Sequence, residues 1–240
     1  MNLALDIGNT RIKWGLYDHG RMTEHGMVGA GELAEVCSSH AWQRGILCAT
    51  GAYSPADLGK EAHRVHIVTH RSRLPIALDY ATPDTLGADR IAAACGAWAA
   101  HPGCNCLIVD AGTCITIDFV DSGGTYRGGA ILPGLAMKFR ALHTFTAKLP
   151  LLDNIDAQNA ILTGRSTRES IQAGVVTATR LAVQGFANQY RKAYGDLHVM
   201  LTGGDAETLW GTGLLDIDNC TIHPWLVLNG LNEILNANEE

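Results

Sequence analysis

Leu3-Ala4-Leu5-Asp6-Ile7-Gly8-Asn9-Thr10 opens the chain, and Leu107-Ile108-Val109-Asp110-Ala111-Gly112-Thr113 restates its pattern in the second half. In each stretch an apolar run leads to an aspartate, then to a glycine, then to a threonine. Alternating apolar residues follow: Ile12, Trp14 and Leu16 after the first, Ile115, Ile117 and Phe119 after the second. Alternation at period two marks a half-buried strand, so each stretch reads as strand, turn, strand. A carboxylate, a glycine turn and a hydroxyl at a strand end suit Mg²⁺ and phosphate. Glycine lets successive backbone N–H groups converge on an anion, and carboxylate oxygen is a hard ligand for Mg²⁺. Two facing copies would clamp one nucleotide.

Around these turns the chain reads as α/β layers. Residues 2–17 give two strands, and Gly20, Gly26, Gly29 and Gly31 punctuate a stretch without clear pattern. A short helix is expected over 31–39, a buried strand at 45–49, and a helix over 54–63 with Ser54 as N-cap and Pro55 at its first position. Val65–Val68 reads as a strand, 74–85 as irregular, and Ile91–Ala100 as an alanine-rich helix ended by His101-Pro102-Gly103. That break is the expected lobe boundary, giving lobes 1–101 and 102–240. Beyond it come strands at about 105–111, 114–120 and 125–131, with a Ser122-Gly123-Gly124 hairpin turn. A helix from Pro133-Gly134 to about Leu149 follows, then a loop over 150–165. Ser166-x-x-Glu169 caps a long helix ending near Tyr194-Gly195. A strand at 197–201, a short helix at 205–210 and a terminal helix at 226–236 complete the chain. The order recurs imperfectly in both halves, as an internal duplication with insertions.

Bulk properties exclude several classes. Hydrophobic residues make up 47% and charged residues 18% of the 240, a globular composition with enough chain for one large domain or two lobes. A net charge of −6 without a Lys/Arg run argues against nucleic acid as a partner. Asp6 and Arg11 interrupt the only signal-peptide candidate, and no apolar stretch is long enough for a membrane span. Seven cysteines, an odd number, read as reduced thiols in a cytoplasm rather than a disulfide framework. Cys104-Asn105-Cys106 has no second pair at ligand spacing and reads as packing. Val65, Ile67 and Val68 favour a strand that splits His63, His66 and His70 between faces, against a metal site.

Four segments carry chemistry. In Asp6–Lys13 the Gly8 turn forms an anion nest, Thr10 adds a hydroxyl and Lys13 a charge, and Asp6 can hold Mg²⁺ directly or through water. In the second turn Asp110 has two candidate roles, a further Mg²⁺ contact or a monovalent-cation ligand. Thr202-Gly203-Gly204-Asp205 ends a strand and begins a helix, so a flat base or ribose can approach its backbone closely. Gly87-Ala88-Asp89-Arg90 precedes the alanine-rich helix, whose positive end favours an ionised Asp89. That carboxylate could take a proton from a substrate hydroxyl while Arg90 holds an anionic group. A plain helix-end charge paired with its neighbour fits the same residues.

These segments resemble a known family. Asp6-x-Gly-Asn-Thr10, Gly87-Ala-Asp-Arg90, Asp110-x-Gly-Thr113, Gly128-Gly-Ala-Ile-Leu-Pro-Gly134, Ser166 to Gly174 and Thr202-Gly-Gly-Asp-Ala206 occur in the order seen in type III pantothenate kinases, across nearly the whole chain. Those enzymes belong to the superfamily of acetate and sugar kinases, Hsp70 and actin. The resemblance implies two ribonuclease H-like lobes with the active site in the cleft between them, and ATP-dependent phosphorylation of pantothenate to 4′-phosphopantothenate, the first step of coenzyme A biosynthesis. It implies that Asp6, Ile7, Gly8, Asn9, Thr10, Arg11, Ile12 and Lys13 bind the ATP phosphates and Mg²⁺. Thr113 would contact ATP, and Gly203 and Gly204 would flank the adenosine. Tyr80, Gly87, Ala88, Asp89, Arg90 and Thr167 would contact pantothenate, with Asp89 as general base. Asp110 would bind the monovalent cation, K⁺ or NH₄⁺, and the protein would be a cytoplasmic homodimer.

This sequence departs from the family pattern at Cys114-Ile115-Thr116, where small residues and threonines are usual. The rival from another class is a regulatory protein that keeps the ATPase fold, as the related name Bvg accessory factor suggests. Such a relic should have lost Asp89 or one Asp-Gly-Thr element, and all are intact. A kinase for another small alcohol or carboxylate is a third reading. Gly87–Arg90 and Thr167 favour pantothenate over it.

Overall fold

The structure, a computed structural model, describes residues 1–152, 161–210 and 217–238. In chain order the first elements are β1 (Asn2–Ile7), β2 (Ile12–Asp18), β3 (Arg21–Val28), α1 (Leu33–Ser39), β4 (Arg44–Ala49), β5 (Val65–Ile67), β6 (Ala77–Leu78) and α2 (Ala88–Ala100). Then come β7 (Cys106–Ala111), β8 (Cys114–Val120), β9 (Thr125–Pro133), α3 (Leu135–Thr144), α4 (Thr167–Gln172), α5 (Ala178–Tyr194), β10 (His198–Thr202), α6 (Ala206–Trp210), β11 (Cys220–Ile222) and α7 (Leu226–Ala237). They form two compact units. The first comprises Met1–Gly103, Val120–Gly128 and Trp225–Glu240, the second Cys104–Phe119 and Gly129–Pro224.

The first unit is built on a five-stranded sheet in the order β3-β2-β1-β4-β5. β1 runs antiparallel to β2 and parallel to β4, and β5 continues parallel. Leu3, Leu5, Ile7, Ile12, Trp14, Leu16 and Leu47 bury one face against Leu33, Val36, Trp42 and Leu58. The second sheet has the order β9-β8-β7-β10-β11, which repeats that of the first, and β6 pairs with the start of β9, both within the first unit. β10 is parallel to both β7 and β11. Leu107, Val109, Ile115, Ile117 and Phe119 pack against Leu135, Phe139, Val176, Val183 and Ala187. The duplicated α/β architecture of two ribonuclease H-like halves expected from sequence is therefore present.

α7, assigned from sequence to the second lobe, belongs to the first unit, where it packs on α2 and β1. The alanine-rich sequence of α2 is what admits it. A Cβ on Gly230 would lie 1.7 Å from the Ala92 carbonyl oxygen, and one on Gly96 would lie 2.5 Å from that of Leu226. Each mid-helix glycine costs about 1 kcal/mol of propensity. The packing buries Ile91, Leu226, Leu228 and Leu231 completely or nearly so, and each such side chain contributes about 2 kcal/mol. Burial wins.

Other boundaries differ from the sequence reading. Residues 55–64 are a tight 3-10 segment broken at Gly59, not an α-helix, although Ser54 caps it as expected. α3 ends at Thr144 rather than near Leu149. β3, β6 and β11 lie where no strand is expected. Thr167 to Tyr194 is helical throughout, and Ala173–Thr177 form a wider π turn between α4 and α5. The expected loop over 150–165 falls partly outside the described residues.

Candidate functional site

In the first unit the β1–β2 register sets Asp6 opposite Lys13, and the parallel β1–β4 register sets it opposite Cys48. The four residues 8–11 bridge the strands, closed by Gly8 N–H donating to the Arg11 carbonyl at 3.1 Å. Asn9, Thr10 and Arg11 are exposed, so their polar groups are open to a ligand. The Thr50 and Gly51 N–H groups both donate to the Ile7 carbonyl at 3.0 Å and brace the turn from β4. Gly51 is a position the sequence reading missed. A Cβ there would stand 2.4 Å from the Gly8 oxygen, so any larger residue would push the turn open. Its only sequence signal is a glycine just past a buried strand.

Asp6 carries the electrostatic tension of this site. Burial pushes its carboxyl above the ordinary value, and the Lys13 ammonium pulls it back down. The Asp89 charge adds to the rise, while a hydrogen bond from the Cys48 thiol, 3.5 Å from Oδ1, opposes it. Asp89 stands in the first turn of α2, after Gly87, where its Oδ1 accepts from the Arg90 N–H at 2.9 Å. Arg90 is buried behind it. The turn after β1 and the start of α2 thus bring two carboxylates within mutual electrostatic reach. Tyr80 faces Tyr126 with ring centroids 6.0 Å apart, and the preceding Asp79 accepts from Arg127 at 2.6 Å.

In the second unit Asp110 occupies the place of Asp6, one residue before the end of β7, with Thr202 of β10 opposite. The turn is only Gly112-Thr113, closed by Gly112 N–H to the Cys114 carbonyl at 2.9 Å. Gly134 N–H donates to the Thr113 carbonyl at 3.1 Å, and Asp205 N–H to that of Ala111 at 2.9 Å. The turn is therefore held between the entries of α3 and α6. Gly203 has φ +93°, and a Cβ on it would lie 2.5 Å from Asp110 Oδ1, so this position demands glycine on two counts. Gly204 beside it has open space. The Thr202 hydroxyl is fully buried and has no hydrogen-bond partner among the described residues. Buried hydroxyls are rarely left so, and this one sits at the register position of Asp110. Cys114 is exposed while Ile115 and Ile117 are buried, so its thiol faces away from the core.

Thr167 opens α4. Ser166 Oγ accepts from the Glu169 N–H at 3.2 Å, and Glu169 reaches back to the Arg165 N–H at 2.6 Å, one residue earlier than the expected box. Thr167 lines a cavity of about 730 Å³ with Leu142, Leu149, Gly164, Ser170 and Gly174. The structure thus gathers Asp6, Lys13 and Asp89 in the first unit and Asp110, Thr113 and Gly203 in the second, with Thr167 on its own cavity. His66 bonds Ser72 and His70 lies beside Asp84. Among the described residues no three His, Cys, Asp or Glu side chains gather as a metal site, and no helix is long and apolar enough to cross a membrane.

A family model described as type III pantothenate kinase matches residues 2–189. A type III pantothenate kinase of Phocaeicola vulgatus is 37% identical over 250 residues, covering 100% of both chains. One of Bacteroides fragilis is 38% identical over 244 residues, covering 99% of this chain and 98% of its own. Among solved structures, a Baf family transcriptional activator from Campylobacter jejuni superposes with TM-score 0.66 at 20% identity, covering 98% of each chain. Component A of the (R)-2-hydroxyglutaryl-CoA dehydratase of Acidaminococcus fermentans does so with TM-score 0.55 at 15% identity, covering 99% of each. At such identities these structures show the fold alone.

Proposed function

The chain belongs to the type III pantothenate kinase family, and on that premise we propose that it transfers the γ-phosphoryl group of ATP to the primary hydroxyl of pantothenate, giving 4′-phosphopantothenate. The observation that carries this reading is the pair of Asp-Gly-Thr turns at equivalent strand ends, with Asp89 within electrostatic reach of Asp6 at the first. Relatives matched over their full length bear the kinase name, and every chemistry-bearing motif is intact, so the accessory-protein reading is not favoured.

Phosphoryl transfer asks the protein mainly for positioning and charge stabilisation. The exposed turn at residues 8–11 and Lys13 would hold the β- and γ-phosphates, Thr113 would contact ATP, and Gly203 and Gly204 would flank adenosine. Asp89, fixed by the Arg90 N–H, would accept the hydroxyl proton as the bond to phosphorus forms. Arg90, Tyr80 and Thr167 would orient the acceptor. Because the proton leaves late, Asp89 needs placement more than a raised pKa.

The residues fit the ions the family implies. Asp6 is a carboxylate that burial makes costly to charge and that a cation would relieve. It would hold Mg²⁺, directly or through water, which neutralises charge on the phosphates. Asp110, opposite a buried hydroxyl that no described residue satisfies, fits a monovalent cation, K⁺ or NH₄⁺, with oxygen donors. The reading includes a homodimer working in the cytoplasm. The test is a coupled ADP-release assay with ATP, Mg²⁺ and pantothenate, run in K⁺ and again in Na⁺. Turnover that needs both pantothenate and K⁺ is expected. No turnover in either salt, from folded protein that binds ATP, would overturn the substrate assignment.

A further inference from the structure

The strand partner of Asp6 has a role that the phosphate-binding motif does not include. β1 and β4 run parallel in a register that sets Cys48 opposite Asp6, so the two side chains leave the same face of the sheet. Cys48 is fully buried, and its Sγ lies 3.5 Å from Asp6 Oδ1. A protonated thiol is an S–H donor, and the 3.5 Å separation lets it donate to that oxygen. The matching pair in the second unit shows that register alone does not make such a bond: Thr202 stands opposite Asp110, yet its hydroxyl donates to no described residue. A carboxylate rotates broadly about its last torsion. A donor on one oxygen removes that freedom and leaves the other oxygen for a cation.

We propose that Cys48 is a positioning residue, whose S–H holds one oxygen of Asp6 and fixes the carboxylate plane for Mg²⁺ and the ATP phosphates. This rests on the reading of Asp6 as the Mg²⁺-side carboxylate. Cys48, buried beside Asp6, acts only through it. Its loss should therefore raise the Mg²⁺ requirement of ATP binding and leave the KM for pantothenate alone.

The experiment titrates ATP by calorimetry at graded Mg²⁺ on wild type, Cys48→Ala, Cys48→Ser and Asp6→Asn, with melting temperatures and pantothenate KM alongside. Cys48→Ala should raise the Mg²⁺ needed for half-maximal ATP binding about fivefold, the scale of one hydrogen bond. Cys48→Ser, which keeps a donor, should stay within about twofold. If Asp6→Asn shifts the Mg²⁺ requirement and Cys48→Ala does not, the positioning role is overturned while the Asp6 reading stands. If Asp6→Asn shifts nothing, the Asp6 reading falls and the proposal falls with it. Equal losses in Cys48→Ala and Cys48→Ser, tracking lowered melting temperatures, would make Cys48 a packing residue and overturn the proposal as well.

Discussion

The turns after β1 and β7 share a signature and differ in length. Four residues, 8–11, join β1 to β2, and two, Gly112-Thr113, join β7 to β8. The longer turn leaves Asn9, Thr10 and Arg11 exposed and is braced from β4. The shorter one is tied at both sides, by Gly134 to Thr113 and by Asp205 to Ala111. The partners of the two aspartates differ as well, a donating thiol for Asp6 and a silent hydroxyl for Asp110. A duplicated motif thus yields an open four-residue turn in one unit and a short turn tied on both sides in the other. Two added residues and one changed strand neighbour separate them.

The largest effect should come from Asp89, the carboxylate whose charge reaches Asp6 beside the first turn. Asp89→Asn should lower turnover by a factor on the order of 10²–10⁴ with little change in ATP affinity. Wild-type turnover in that variant, measured by ADP release, would remove Asp89 as the base. Next, Asp6→Asn and Asp110→Asn should fail differently. Asp6→Asn should weaken ATP binding in Mg²⁺ by more than about tenfold, because a neutral amide cannot replace a charged oxygen ligand. Asp110→Asn should abolish the advantage of K⁺ over Na⁺. Identical salt and Mg²⁺ profiles for the two variants would break the comparison.

Asp6→Asn also tests stability, with a definite sign. Burial raises the Asp6 carboxyl in the folded chain, so the protonated form is the one folding favours. Its contribution is full below the unfolded value near 3.8 and is lost as pH rises through the folded value. At neutral pH the charged side chain is therefore a cost. The ligand-free variant should melt higher than wild type at pH 7, with the gain fading in acid. A lower melting temperature at pH 7 would mean that Lys13 and Cys48 outweigh burial.

The parts of this comparison that sequence revealed are those written in alternating or helical periods. Ile12-Trp14-Leu16 and Ile115-Ile117-Phe119 announce β2 and β8, and the duplicated aspartates announce equivalent strand ends. β3 was hidden because none of its residues is buried, leaving no alternation to read; backbone pairing with β2 holds it. α7 was legible as a helix but not in its place, since an apolar helix does not say which sheet it covers. Gly51 lies beside the first Asp-Gly-Thr motif without belonging to it, and its importance comes from its close approach to Gly8, which a linear pattern does not carry. Thr202 is visible in the Thr202–Asp205 turn, but its place opposite Asp110 comes from strand register. Helix α2 shows the reverse case: its alanines were visible, and their purpose became clear only with Gly230 against Ala92.

The smallest effects should sharpen the contrast between the two strand partners. Thr202→Val keeps the shape of the side chain and removes the hydroxyl that no described residue satisfies. If no ion is bound, burying an unpaired hydroxyl costs about 1–2 kcal/mol, and the valine variant should be more stable by that order. If K⁺ is bound, the hydroxyl serves as an oxygen donor and the same variant should lose stability in K⁺ relative to Na⁺. Melting curves in the two salts therefore separate the structural cost from the ionic use. A gain in Na⁺ that shrinks or reverses in K⁺ would assign the hydroxyl to the cation. A gain equal in both salts would leave Asp110 without help from β10, and the likeness between Cys48 and Thr202 would be one of position alone.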